Sequence, residues 1–217
     1  MIESITDICN KYNSTNKNEV TKTYSVFHCR VEQVNILKEH IIKHEQYILE
    51  KLKKHEKDFP IDAFELIKEI TSKDIAIART YIESYIVMLF SLTDILALML
   101  LKILGFSANP EYLYFHHLIT SSEINLKQYN NELIFNAAEA LYLSDEYKYF
   151  HALNNTIKHR SVISTSHTLK LAEIRNYFSI QEFEYKGHTY LKVSTEELFA
   201  KAEQFINGLQ NCITALE

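Results

Sequence analysis

The chain has little with which to interrupt a helix. Its 217 residues include three glycines and two prolines, so tight turns are scarce and long helices are expected. No G-x-G-x-x-G stretch or P-loop occurs, and three glycines could hardly build one. Cysteine is equally sparse. Cys9, Cys29 and Cys212 lie far apart, with no CxxC pair and no metal spacing, which favours free thiols in a reducing cytoplasm. An excess of positive charge is also missing. Lys and Arg number 23 against 28 Asp and Glu, a net charge of -5. There is no overall basic surface for nucleic acid, and any such contact must be a local patch. The N-terminus, MIESITDICNKYNSTNK, has no basic start followed by an apolar run, so no signal peptide is expected.

What the chain does have is aliphatic and aromatic residues in helical rhythm. Hydrophobic residues make up 47% and charged residues 24%, the balance of a soluble globular protein long enough to bury a core without staples. Phe27, Val31, Val34, Leu37, Ile41, Ile48 and Leu52 recur at three-, four- and seven-residue steps, which predicts a helix from Tyr24 to Lys57. Residues 1 to 23, polar after a short apolar start, read as a loose helix and a linker. Asp58-Phe59-Pro60 ends the long helix. A short amphipathic helix is expected over Ile61 to Thr71. Ser72 then caps a helix running to about Leu104, with Gly105 behind it. Shorter helices are expected over Glu111 to Ile119 and Ser122 to Tyr142, and another begins at Ser144 or Asp145.

Within the Ser72 helix, YIVMLFSLTDILALMLLKILGF (Tyr85 to Phe106) is long enough to span a bilayer. Asp94 stands at its centre and Lys102 near its end, and a carboxylate at mid-span is costly in lipid. A buried central helix of a soluble bundle is therefore expected, with no membrane partner. After Arg160 the period changes. Residues 162 to 193 are rich in β-branched and aromatic types, and SIQEFEYKGHTYLKV predicts a hairpin turning at Lys186-Gly187. Ser194 and Glu197 have capping-box spacing and open the last helix, through Leu216. The expected fold is mainly α, one domain over residues 1–217, a helical bundle with a small antiparallel β-hairpin before the C-terminal helix.

One polar cluster breaks the pattern. YFHALNNTIKHRSVI, Tyr149 to Ile163, gathers Asn154, Asn155, Lys158, His159 and Arg160 at the end of a helix. His151, Asn155 and His159 make an i, i+4 ladder. Cations at a helix C-terminus answer the macrodipole, but this leaves the two amides one turn earlier unexplained. Asp94 is the second anomaly, a carboxylate in an apolar run. It needs a partner, and Arg160 or His159 could supply one, as a packing staple or as the floor of a polar pocket.

Together these segments resemble a set of bacterial helical proteins related to the HEPN superfamily (higher eukaryote and prokaryote nucleotide-binding). The resemblance rests on Asp94-Ile95-Leu96-Ala97 in one helix, Asn155-Thr-Ile-Lys158-His159-Arg160 ending a later one, and a hairpin of the FEYKGHTY kind. It spans roughly residues 75 to 195. The resemblance implies metal-independent ribonucleases, usually homodimeric and without cofactor, whose motif is Arg, four to six residues, then His. Arg160-SVISTS-His167 has that spacing. The arginine would stabilise the charged phosphorane, and an imidazole would act as base on the ribose 2′-OH. Asn155 and Lys158 would position substrate. Val162 to His167 reads as extended chain, whereas the active motif places its His on or beside a helix, so His159 stands beside His167 as the alternative base.

Other constellations point to packing. His40 and His44 stand at i, i+4 without the glutamate of an HExxH signature; they flank the apolar stripe, where solvation rather than metal binding is expected. His116 and His117 are consecutive and should face different ways, covering the edge of a core. Two classes of function remain. One is a HEPN-like RNA- or nucleotide-binding protein, with ribonuclease activity in stress or phage defence. The other is a non-catalytic interaction module, such as an antitoxin, an immunity protein or an accessory subunit, whose acidic charge suits a basic protein partner.

Overall fold

A computed structural model describes residues 5–12, 14–56, 72–105, 114–121, 126–129, 132–160, 163–170 and 175–217. The chain is mainly helical, with a small antiparallel β element before its last helix. Helices α1 (Ile5–Lys11), α2 (Lys17–Glu56) and α3 (Ser72–Leu104) are followed by the short α4 (His117–Thr120), a 3-10 turn (Leu126–Tyr129), α5 (Glu132–Leu143) and α6 (Asp145–Arg160). Strands β1 (Thr165–Lys170), β2 (Arg175–Ile180), β3 (Phe183–Tyr185), β4 (His188–Tyr190) and β5 (Val193–Ser194) lead into α7 (Thr195–Thr214).

The expected linker before Tyr24 is helix instead, since α2 begins at Lys17. Thr21, Thr23 and Ser25 donate their hydroxyls to carbonyls four residues back, so these polar residues stay within the helix. Val20 joins Phe27, Val34, Ile41 and Ile48 in a seven-residue series that is almost wholly buried, one stripe of a long amphipathic helix. Within the span expected to be helix from Ser122 to Tyr142, the described residues form a 3-10 turn at Leu126–Tyr129 and α-helix from Glu132. The end of the α2 helix at Asp58-Phe59-Pro60 and the helix expected over Ile61 to Thr71 lie outside the described residues. So does the first part of the helix expected from Glu111.

Capping chemistry fixes several boundaries. Gly105 follows α3 with φ +73°, the left-handed stop that glycine adopts without strain. Ser144 Oγ accepts the Tyr147 N–H at 3.1 Å and starts α6. At α7 the capping box is complete: Ser194 Oγ accepts from Glu197 N at 3.2 Å, and Glu197 Oε2 accepts from Ser194 N at 2.7 Å.

The β element is larger than a hairpin. β1, β2 and β5 form a three-stranded antiparallel sheet in the order β1-β2-β5, and β3 pairs separately with β4. Lys186 and Gly187, at φ +51° and +79°, make the two-residue turn between β3 and β4, a conformation with positive φ at both positions that matches strand twist.

The chain divides into two compact units, each built from segments distant in sequence. The first holds residues 1–33, 88–151 and 201–217, the second residues 34–87 and 152–200. The core of the first includes Phe90, Tyr147, Phe150 and Phe205, whose rings meet at 5.3 to 6.4 Å. In the second, Tyr85 packs edge-on against Phe199, and Ile82, Ile86, Ile163 and Phe178 are buried. Among the described residues only α3 is long and apolar enough to cross a membrane, and 61% of its most apolar window is buried within the protein.

Candidate functional site

The polar cluster occupies the last three turns of α6. This helix opens with Asp145 and Glu146, so its charge runs with the macrodipole, acidic to basic. His151 belongs to the first unit, half-buried with its ring 5.7 Å from Phe90 and stacked on Tyr147. Asn154, Asn155, Lys158, His159 and Arg160 belong to the second. Asn154 is buried, with 3% of its surface exposed, and its Oδ1 has no hydrogen-bond partner among the described residues. Asn155 is half-buried and engaged. Lys158 and His159 are exposed. Neither side chain makes an ion pair or hydrogen bond among the described residues.

Arg160 closes α6, and His167 is the third residue of β1, in register with Phe178 of β2. The side chains of both lie outside the described residues. The strand location agrees with the extended reading of Val162 to His167. Beyond α6 the chain is fastened to α3: Glu83 Oε1 accepts from Ile163 N at 3.3 Å, and Arg79 Nε donates to Thr165 Oγ1 at 3.3 Å.

Asp94 is half-buried, less enclosed than its apolar run suggests, because α3 turns this position away from the face of Leu92, Leu96 and Met99. It sits in the first unit and acts electrostatically on Tyr147, whose phenol burial pushes well above its ordinary range, with Tyr142 and Asp94 adding to the shift. Tyr147 lies thirteen positions before Arg160 on α6.

A second polar network was not legible in sequence. Glu45, on α2 between Ile41 and Ile48, accepts from Phe178 N at 2.9 Å and Thr195 Oγ1 at 2.6 Å through one oxygen. It joins α2 to β2 and to the start of α7. Burial raises its carboxyl pKa against these two hydrogen bonds, which lower it. The one available signal was a glutamate four residues from Ile41 and three from Ile48, on the apolar face. His44 beside it is half-buried, not solvated. Its Nε2 donates to the Asp74 carbonyl at 2.9 Å, and its ring stacks on Tyr47 and Phe178. Asp74 is buried and pairs with Lys51 at 3.3 Å. His40 stays exposed but stacks on Tyr81 at 5.3 Å. The His116 and His117 rings meet at 4.1 Å instead of facing apart. Among the described residues no three His, Cys, Asp or Glu side chains converge to hold a metal ion. The three cysteines are free thiols, and burial pushes Cys212 up to about 12.

The described residues define a mainly helical protein with Lys158 and His159 exposed at the end of α6. Comparison with protein families, with curated proteins and with solved structures finds no match to the chain.

Proposed function

We propose that this protein binds RNA or a nucleotide at the C-terminal end of α6. The observation that carries the reading is the pair Lys158 and His159, exposed side by side with no carboxylate partner among the described residues. Arg160 follows directly. In a chain of net charge -5, an exposed lysine without a carboxylate partner is the group a phosphate would select, and the imidazole beside it can donate a hydrogen bond to the same anion. The macrodipole accounts for cations at this end. It does not account for Asn154 and Asn155 preceding them.

The finer reading comes from the HEPN resemblance. Arg160 would stabilise the phosphorane, His167 or His159 would take the 2′-OH proton, and Asn155 and Lys158 would position the strand, in a homodimer that needs no metal. The test is incubation of a mixed RNA pool with purified protein in a metal chelator, wild type beside Arg160→Ala. Cleavage by wild type alone is the expected result. Equal cleavage by both removes Arg160 from the mechanism.

A second reading, the non-catalytic interaction module, draws on α2. Ile36 and Tyr47 are 53% and 52% exposed, and with His40 they share one helical face. If wild type neither binds nor cleaves RNA, this face becomes the functional surface and the acidic charge the basis of partner choice.

A further inference from the structure

Arg79 of α3 is a cation that the fold positions but does not neutralise. Its Nε donates to Thr165 Oγ1 at 3.3 Å. Among the described residues it has no carboxylate partner and no other hydrogen bond. A guanidinium carries five N–H donors, so the four on its terminal nitrogens are left without an acceptor there. The side chain is half-buried, so an anion can still reach it from solvent. Glu83, one turn further along α3, would be the ordinary i, i+4 partner. It takes the Ile163 N–H instead, at 3.3 Å. The two side chains reach to the segment that leaves α6 rather than to each other.

A fixed fork of free N–H groups matches the oxygens of a phosphate, which an arginine takes two at a time. Thr165 anchors the guanidinium at Nε and leaves its outer edge unused. Arg30 offers the contrast. It too lacks a carboxylate partner among the described residues, but its Nη1 is spent on Ser91 Oγ at 3.0 Å and Met88 Sδ at 2.8 Å, inside the first unit. Position ties Arg79 to the α6 site. Arg79, Lys158, His159 and Thr165 all belong to the second unit. Thr165 follows Arg160 by five residues, at most about 18 Å of extended chain, a span that a few nucleotides cover. We propose that Arg79 is a phosphate-binding residue of the α6 site, its terminal N–H edge gripping one phosphate while Lys158 holds another, with Thr165 as the residue that positions it. This rests on the RNA- or nucleotide-binding reading above and adds a second element, α3, to the surface that binds.

The experiment uses the full chain and two fluorescent probes, a short oligouridylate 2′-O-methylated against cleavage and a labelled nucleoside triphosphate. The probe that binds wild type identifies the source of the phosphate, and the variants are titrated with that probe. Arg79→Ala should bind roughly tenfold or more weakly, the loss of a charge-assisted pair of hydrogen bonds. Arg79→Lys keeps the charge without the fork and should recover only part of that loss. Thr165→Val keeps the shape and suits a strand, yet frees the guanidinium, and should weaken binding by roughly threefold. Arg30→Ala removes an equal charge elsewhere and should bind as wild type does. Wild-type affinity in Arg79→Ala, or full recovery in Arg79→Lys, overturns the proposal. So does an equal loss in Arg30→Ala, which would make the effect one of overall charge. Thermal melts show which variants are folded, and failure of both Arg79 variants to fold would make the residue structural and end the proposal. Wild-type binding that survives Arg79→Ala but not Lys158→Ala sinks this inference alone. No binding of either probe by wild type sinks the RNA- or nucleotide-binding reading with it.

Discussion

Glu45 shows how one side chain sets the terms of a seam. Its single oxygen serves the Phe178 N–H and the Thr195 hydroxyl, two donors on different elements. Truncation to alanine leaves both without an acceptor, at a cost of about 1–3 kcal/mol for each group that stays buried. Glu45→Gln is different. The amide oxygen accepts both bonds and carries no charge. Burial raises the Glu45 pKa above its ordinary value, with Glu196 adding to the rise and His44 opposing it. A carboxyl with a raised folded-state pKa is favourable to folding in its protonated form. That contribution is full below the unfolded-state pKa and is lost as pH rises through the folded value. Glu45→Gln should therefore melt at or above wild type near pH 7, and its advantage should shrink as pH falls into the carboxylate range, while Glu45→Ala melts lower throughout. Thermal melts across pH check this. A constant gap between wild type and Glu45→Gln at every pH would remove the charge from the account.

At the scale of elements, approach distance decides what a position tolerates. Gly208 of α7 faces Leu141 of α5 so closely that an added Cβ would lie 2.9 Å from Leu141 Cδ1. The obstacle is the end of a flexible side chain, and alanine gains about 1 kcal/mol of helix propensity over glycine. Gly208→Ala should change the melting temperature little. Gly208→Val adds branches that Leu141 cannot evade and should cost about 1–3 kcal/mol, a fall of several degrees. Leu141→Ala in the same chain should recover part of that loss, as neighbours sharing a space do. Valine tolerated as well as alanine would show that the two helices separate readily.

Boundaries with dedicated chemistry were legible in the sequence for the same local reason. Ser144, Ser194 with Glu197, and Lys186-Gly187 carry cap and turn signals within four residues. Lys17 to Thr23 was not legible, because a polar exposed helix start has the composition of a linker. The β1–β2 pair was missed because TSHTLK alternates weakly and gains its strand character from its partner. Of the site, sequence located the Asn154–Arg160 cluster. It could not tell which members are exposed. That division between buried Asn154 and exposed Lys158 comes from how α6 is rotated, which no local pattern encodes.

For the whole molecule the governing quantity is charge. A protein of net charge -5 repels RNA at long range, so any binding must come from a few cations acting at short distance. In the proposed site Lys158 and Arg160 would supply about two phosphate contacts. Each contact on a single strand contributes about -0.7 to the slope of log affinity against log salt concentration, so these two should give a slope of roughly -1.4, to which Arg79 would add about -0.7. Lys158→Ala should reduce its magnitude by about 0.7. Fluorescence titrations of a short labelled oligoribonucleotide over a range of salt would read both. A much steeper slope would mean a wider basic surface than these residues provide and would move the site elsewhere. A flat slope with measurable affinity would mean that stacking or apolar contact does the binding, and the exposed aromatic face of α2 would then replace the α6 end as the surface to mutate.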